Sequence, residues 1–382
     1  MQSNGSLALY VHIPFCAKHC AYCDFNTYVE KQPAVVQRTV DAIRADICRS
    51  APAASGRVVE TVFFGGGTPT YLTGEQLTSI LQTVRECYEI APNAEISSEA
   101  NPGSSDAAKF AVMHDAGFNR ISIGVQSFDD TLLTALDRFH TSSEAENAMQ
   151  AARSAGFDNV NLDLMFGLPC QTLSLWHRTL ERACELEPEH LSLYALTLEP
   201  GTLFERRHAG GKLALPDEDA ELEMYEQSIR MLQSFEYEHY EVSNFARPGF
   251  RCLHNQVYWH NGEYLGFGPG AVSYVEGRRY KRERLPGRYA AKLESCAPLE
   301  VETETLDCCG ALGETMMLGL RLREGIDTVR VAARFGIDPL IYFEKQIERL
   351  VSSGLLEKHG AILRLTHRGL LLANTVLGEF LL

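Results

Sequence analysis

The sequence has little positive charge. Its 382 residues contain 35 Lys and Arg against 50 Asp and Glu, which gives a formal net charge of −15. Proteins bind nucleic acids largely through Lys and Arg side chains that neutralise phosphates. This charge balance therefore excludes a nucleic acid as the main partner and favours a small molecule or another protein.

Long hydrophobic runs and a basic leader are also missing. The apolar run at residues 7–13 is interrupted by His12, and residues 1–6 carry no Lys or Arg. These features fit neither a transmembrane segment nor a secretory signal. We therefore expect a cytoplasmic protein, for which peripheral contact with a membrane stays open.

An even set of cysteines, typical of a disulfide framework, is absent as well. The chain has eleven cysteines, and three of them, Cys16, Cys20 and Cys23, lie within eight residues. In a chain of this length, such a cluster indicates metal ligation in a reducing compartment.

The first 200 residues alternate between short apolar segments and amphipathic helical patterns. This alternation predicts a parallel sheet covered by helices. Six units predict an α/β fold with an incomplete (β/α)6 TIM-like barrel, which we assign to residues 1–240. The predicted strands are residues 7–12, 61–64, 94–98, 120–125, 159–165 and 191–196.

The rest of the chain follows other patterns. Residues 216–235 predict a long helix, and residues 241–305 predict a connecting segment that is irregular or short-stranded. Residues 306–382 predict helices and a hairpin in a winged-helix-like α+β domain. Its 340–353 helix has no basic stripe, so we expect a cap on the barrel rather than a DNA-binding module.

The cysteine triplet follows the first predicted strand, where a loop can wrap a compact cluster. Three thiolates on a four-iron cubane leave one iron open to an exogenous ligand. The alternative is a zinc site with four closed ligands, in which His12 or His19 supplies the fourth.

The Cys-x3-Cys-x2-Cys spacing resembles the fingerprint of the radical S-adenosylmethionine (SAM) superfamily. The resemblance implies a [4Fe–4S] cluster on Cys16, Cys20 and Cys23, with SAM on the fourth iron. It also implies one-electron cleavage of SAM to a 5′-deoxyadenosyl radical, and a partial barrel.

Further residues fit a SAM site at the carboxyl ends of the strands. The glycines at 65–67 lack Cβ atoms, so their backbone can approach a ligand closely. Glu99 suits hydrogen bonding to ribose hydroxyls, and Asp163 lies in an apolar run where it needs a partner. The resemblance places around SAM the residues Tyr10, Tyr22, Gly66, Gly67, Thr68, Glu99, Gln126, Arg138, Asp163, Ala195 and Val272.

A narrower resemblance covers nearly the whole chain. It is to the coproporphyrinogen-III-oxidase-like branch, which contains oxygen-independent coproporphyrinogen III dehydrogenases and the HemW family of haem chaperones. The dehydrogenases carry a CxC ending and a longer N-terminal arm. Here Asp24 and Phe25 follow Cys23, and the first strand begins near residue 7. Both departures match the chaperone family.

Residues 254–259, HNQVYW, match the HNxxYW motif of that family. A neutral imidazole is a usual axial ligand of haem iron, so His254 is the predicted ligand, and Cys252 is a candidate second ligand. Tyr258 and Trp259 are predicted to cover the macrocycle. The alternative is that this segment is core packing and His254 is merely hydrogen-bonded.

Two functional hypotheses follow from these features. The first is a chaperone that binds haem and delivers it to acceptor proteins, with respiratory enzymes as one class of acceptor and an electron donor for the cluster. The second is an oxygen-independent coproporphyrinogen III dehydrogenase. Cys170 stands where relatives usually have Gly, and we assign it no role.

Overall fold

A computed structural model describes residues 6–381 of the protein. Six parallel strands, each followed by one or two helices, form its centre. In chain order these elements are β1 (Ser6–Ile13), α1 (Pro33–Ser50), β2 (Val58–Gly66), α2 (Gly74–Cys87), β3 (Glu89–Ala100), α3 (Ala107–Asp115), β4 (Arg120–Gln126), α4 (Asp130–Ala135), α5 (Ser142–Ser154), β5 (Val160–Phe166), α6 (Leu173–Glu185), β6 (His190–Ala195), α7 (Leu203–Ala209) and α8 (Glu218–Ser234). The strands pair side by side in sequence order, which confirms the predicted α/β barrel of six units.

The two faces of this sheet differ in polarity. On β4, Ile121, Ile123 and Val125 belong to the apolar core. Because successive side chains point to opposite faces of a strand, Ser122 and Gly124 lie on the other face. That face is the barrel interior, and polar side chains line it.

Residues 241–305 were predicted to be irregular or short-stranded, and the sequence did not indicate that strands of this region join the barrel sheet. The elements are β7 (Glu238–Glu241), β8 (Asn244–Ala246), α9 (Leu253–Trp259), β9 (Tyr264–Phe267), β10 (Val272–Val275), β11 (Arg278–Arg282), α10 (Pro286–Glu294) and β12 (Glu300–Thr305). β8 and β7 extend the sheet beyond β6, and β9 to β12 extend it beyond β1. Among these added strands, only β9 pairs in parallel, with β1.

The C-terminal region has the predicted helices and hairpin. Its elements are α11 (Cys308–Gly319), β13 (Ile326–Asp327), α12 (Thr328–Phe335), α13 (Pro339–Tyr342), α14 (Glu344–Ser352), β14 (Leu356–His359), β15 (Ile362–Leu365), α15 (His367–Leu371) and α16 (Ala373–Gly378). The three strands form a separate sheet in the order β13-β15-β14.

The proposed domain boundaries stay predictions, and the one after residue 240 falls inside β7. Over residues 6–381, no helix is long and apolar enough to cross a membrane.

A buried ion pair joins α1 to the added strands. The Asp46 carboxylate lies 3.1 Å from the Arg282 guanidinium. The Asp46 side chain is 0% exposed and the Arg282 side chain is 6% exposed. The Tyr289 hydroxyl donates to the second oxygen of Asp46 at 2.7 Å and accepts from the Gly268 amide at 3.1 Å. One carboxylate thus connects α1, β11, α10 and the loop after β9.

We predict that Asp46→Asn destabilises the protein by about 3–5 kcal/mol, because it leaves the Arg282 charge buried without its partner. Urea unfolding followed by circular dichroism measures the effect. Asp41→Asn, on an exposed part of the same helix, is the matched control and should change the unfolding free energy little. Equal effects of the two substitutions would contradict the prediction.

Candidate radical SAM site

The cysteine loop lies at the carboxyl end of β1. Its first cysteine is fixed by a hydrogen bond from the Cys16 amide to the Tyr28 carbonyl at 3.1 Å. The Cys23 amide donates to the Cys20 carbonyl at 3.3 Å and closes the turn between these two residues. All three thiols are partly exposed.

Polar groups surround these thiols. The Thr68 hydroxyl lies 3.5 Å from Cys16 Sγ, and an Arg138 nitrogen lies 3.6 Å from Cys20 Sγ. Burial raises the pKa of Cys23 to about 11, and the neighbouring charges of Cys20 and Cys16 add to the rise. The Arg138 cation beside the thiols can offset the negative charge of thiolates, so the loop fits a cluster that thiolates hold.

His12 and His19, the two candidate fourth ligands of the zinc alternative, both make hydrogen bonds. Both ring nitrogens of His12 are engaged, by the Tyr10 hydroxyl and by the Asn26 carbonyl, each at 3.0 Å. His19 Nδ1 lies 3.1 Å from the Thr27 hydroxyl. In the part of the chain that the structure describes, no group of three or more His, Cys, Asp or Glu side chains is arranged to hold a single metal ion.

The glycine turn after β2 packs against the cysteine loop. The Gly67 amide donates to the Ile13 carbonyl at 2.8 Å, and a Cβ on Gly67 would lie 2.6 Å from the Phe15 carbonyl oxygen. Gly66 has a φ of +112°, and a Cβ there would lie 2.5 Å from the His12 ring. The sequence related these glycines to a ligand, whereas the structure requires them for the close approach of two protein segments.

Two carboxyl groups lie inside the barrel near this turn. Glu99 accepts a hydrogen bond from the Gly66 amide at 3.1 Å. Burial, followed by the nearby Asp163 charge, raises the pKa of Glu99 to about 8. Asp163 accepts from the Ser122 hydroxyl at 3.0 Å and from the Asn161 amide at 2.7 Å, which confirms the prediction that it needs partners.

Gln126 and Arg138 converge at the end of β4. A Cβ added to Gly124 would lie 3.1 Å from Gln126 Nε2 and 3.2 Å from an Arg138 nitrogen. Gln126 itself has a φ of +66°, which is uncommon for a residue other than glycine. The chain thus turns sharply where the two side chains meet.

The remaining predicted residues are placed around the same end of the barrel. Tyr10 lies close enough to Glu99 for that charge, after burial, to raise the tyrosine pKa. The Tyr22 ring packs against Phe204, and burial raises the Tyr22 pKa, which the Arg138 charge opposes. Ala195 ends β6, and Val272 begins β10 directly after the loop that follows β9.

Sequence reasoning missed two polar residues that interact with Asp163. Arg120 is 2% exposed, and its charge opposes the rise that burial causes in the Asp163 pKa. Burial and the Asp163 charge also raise the pKa of Tyr194. Arg120 could have been found from the sequence because it is a charged residue at the start of an apolar strand. Tyr194 could have been found because it precedes the predicted site residue Ala195.

The HNQVYW segment forms α9 and packs against β2. His254 is 1% exposed, and its two ring nitrogens lie 2.8 Å from the Thr61 hydroxyl and 2.9 Å from the Tyr258 hydroxyl. Its ring stacks on Phe63 with centroids 5.1 Å apart. Burial lowers the pKa of His254 to about 3, so the imidazole is neutral. In this conformation His254 offers no free nitrogen to haem iron, and the core-packing alternative describes it.

Glu95 holds the amino end of α9 in place. Its carboxylate accepts from the amides of Leu253 and His254 at 2.8 and 3.2 Å. Cys252 Sγ lies 3.5 Å from the same carboxylate and is fully buried, so the candidate second haem ligand is also inside. Trp259 is partly buried, and the Arg321 guanidinium covers its ring at 4.3 Å.

The glycine-rich loop after β9, residues 268–270, packs against other segments of the protein. A Cβ on Gly268 would collide with the His12 carbonyl, and one on Gly270 would lie 2.5 Å from Asn26. The Asn26 amide donates to the Pro269 carbonyl at 2.9 Å. This loop therefore braces β1 and the cysteine loop.

The comparisons with known proteins agree with this geometry. The family profile of the radical SAM superfamily matches residues 10–183, and that of the HemN C-terminal domain matches residues 311–372. The solved structure of coproporphyrinogen III oxidase (HemN) from Escherichia coli, described as a radical SAM enzyme, superposes with a TM-score of 0.87 at 26% identity. The match covers 99% of this chain and 90% of that one. The fold and the cysteine loop are those of a radical SAM protein, a class that implies SAM and a [4Fe–4S] cluster.

Relatives along the whole chain define the family more closely. The heme chaperone HemW of Escherichia coli is 38% identical over 98% of this chain and 98% of the relative. The heme chaperone HemW of Bacillus subtilis is 36% identical over 97% of this chain and 98% of the relative. The chain belongs to the HemW family.

We predict that Cys16→Ala, Cys20→Ala and Cys23→Ala each abolish the cubane, because the loop has no spare thiolate. Anaerobic reconstitution, followed by iron and sulfide analysis and visible absorbance, measures the cluster. Cys184→Ala, which removes a buried thiol on α6, is the control and should keep it. Stoichiometric zinc with no iron uptake would contradict the prediction.

We also predict a pH-dependent contribution of Glu99 to stability. Its pKa of about 8 in the folded protein exceeds the ordinary value of 4.5, so the folded state binds the proton more tightly. Wild-type stability should therefore fall as pH rises through this window, by at most about 1.4 kcal/mol per pH unit. Glu99→Gln lacks this dependence. Urea unfolding of both proteins without cluster checks it, and parallel pH profiles would contradict it.

Proposed function

We propose that this protein is a haem chaperone, which binds haem and passes it to acceptor proteins. The observation that carries the proposal is 36–38% identity, over nearly the whole chain, with proteins named heme chaperone HemW. The Asp24-Phe25 sequence after Cys23 and the HNQVYW segment support the same function. Haem-dependent respiratory enzymes are one class of acceptor that we propose.

The proposed cluster site consists of Cys16, Cys20 and Cys23, with Arg138 and Thr68 beside their thiols. When bound, a reduced [4Fe–4S] cluster and SAM supply a one-electron cleavage of the SAM sulfonium. The chain's own contribution is to keep the surroundings polar and fixed. We assign the SAM side of the site to Gly66 and Glu99, together with Tyr10, Tyr22, Gly67, Gln126, Asp163, Ala195 and Val272.

The haem side of the proposal concerns α9. For His254 to ligate iron, α9 must move away from β2, and His254 must exchange its bonds to Thr61 and Tyr258. Each of these hydrogen bonds contributes about 1 kcal/mol, and the loss of the Phe63 stacking and of the Glu95 contacts adds to the cost that iron ligation must offset. We propose that haem binds to this segment after the displacement, with Tyr258 and Trp259 against the macrocycle.

Two substitutions test whether His254 ligates haem iron or has a purely structural role. His254→Ala should remove an axial ligand and change the absorbance spectrum of the haem complex. Thr61→Val keeps the imidazole but removes one bond that holds it inside, so it should keep the spectrum and bind haem up to about fivefold more tightly. An unchanged haem spectrum in His254→Ala would assign the ligand elsewhere.

The likeness to coproporphyrinogen III oxidase makes oxidative decarboxylation the second candidate. We expect the reconstituted, reduced protein with SAM to retain haem and to leave coproporphyrinogen III unchanged. Mass spectrometry of the tetrapyrroles measures both outcomes. Catalytic loss of two carboxyl groups from coproporphyrinogen III would overturn the chaperone proposal.

A further inference from the structure

Two cysteines outside the radical SAM site lie in contact on the outer helices. Cys48 is in the last turn of α1, and Cys87 is the last residue of α2. Their Sγ atoms are 2.9 Å apart. A disulfide bond is about 2.0 Å long, so the sulfurs need to approach by only about 0.9 Å to bond.

Hydrogen bonds on both sides hold this pair together. One turn before the cysteines, Arg44 on α1 donates to the Thr83 hydroxyl on α2 at 2.9 Å. Next to them, the Tyr88 hydroxyl donates to the Ile47 carbonyl at 3.2 Å. The spacing of the two helices is therefore fixed independently of the sulfurs.

The two thiols differ in exposure. Cys48 is exposed, and Cys87 is partly buried. Burial, followed by the contact with Cys48, raises the pKa of Cys87 to about 12, so Cys87 is a poor initial nucleophile. Since the thiolate is the attacking species in disulfide exchange, Cys48 is the thiol that a dissolved oxidant meets first.

We propose that Cys48 and Cys87 form a reversible disulfide, with a low-molecular-weight disulfide as the oxidant. The Cys48 thiolate attacks one sulfur of the oxidant, whose S–S bond breaks and releases a first thiol. The Cys87 sulfur then attacks the Cys48 sulfur of the mixed disulfide, and a second thiol leaves. The two cysteines are oxidised, the small disulfide is reduced to two thiols, and each leaving thiolate takes up a proton lost from a protein thiol.

The Cys48–Cys87 pair and the cysteine loop lie at opposite ends of the barrel strands. β2 begins after α1, and β3 begins two residues after Cys87, so the pair lies near the amino ends of these strands. The cysteine loop and Gly66 lie at the opposite, carboxyl ends. Oxidation of the pair should therefore leave the cluster intact, while it closes a chain segment that contains all of β2.

The experiment uses the anaerobically reconstituted protein in glutathione buffers of increasing oxidised fraction. Free thiols are alkylated, and unreduced peptides are identified by mass spectrometry. We expect a Cys48–Cys87 linked peptide, unchanged cluster absorbance and a higher urea midpoint for the oxidised form, because the cross-link restricts the unfolded chain. Reduction should reverse both the link and the midpoint shift.

Variants make the result specific. Cys48→Ser and Cys87→Ser should each abolish the linked peptide and the midpoint shift, whereas Cys296→Ser, at another exposed cysteine, should change neither. A glutathione adduct that stays on Cys48 while Cys87 remains free would overturn the proposal. So would oxidation that links these cysteines only after the cluster is lost.

Discussion

The carboxyl end of β1 is fixed from both sides by backbone that only glycine permits. On one side Gly67 lies against the carbonyls of Ile13 and Phe15, and on the other Gly268 lies against the carbonyl of His12. Any side chain at either glycine would push these segments apart. Because the cysteine loop starts directly after this point, its position depends on both contacts, and so does the distance of its thiols from Thr68 and Arg138.

The polar interior of the barrel is the second constraint. Asp163 shares its oxygens with Ser122 and Asn161, and Glu99 is held by the Gly66 amide. A buried polar group without a partner costs free energy, so these pairs keep the interior ordered. They also place Glu99, whose pKa is raised, against the glycine turn. A protonated Glu99 can donate a hydrogen bond as well as accept one.

A row of aromatic rings leads from α9 to the end of β1. His254 stacks on Phe63, and Phe63 stacks on Tyr10 with centroids 6.4 Å apart. Tyr10 in turn is bonded to His12, which lies under Gly66. A displacement of α9 would remove one end of this contiguous row of rings. The proposed haem segment, α9, and the proposed SAM residue Gly66 therefore both lie along β2, although their sequence motifs lie far apart.

The sequence by itself determined the barrel strands and the family, because hydrophobic periodicity and cysteine spacing are local properties of the chain. It also indicated that Asp163 needs partners, since a carboxylate in an apolar run is costly. It did not reveal that residues 238–305 extend the barrel sheet, because strand pairing is a long-range property and these strands are short. Only the tertiary structure decided the state of His254, since the Thr61 hydroxyl that binds its ring lies 193 positions away in the chain. The contact of Cys48 with Cys87 was likewise decided by the packing of α1 on α2.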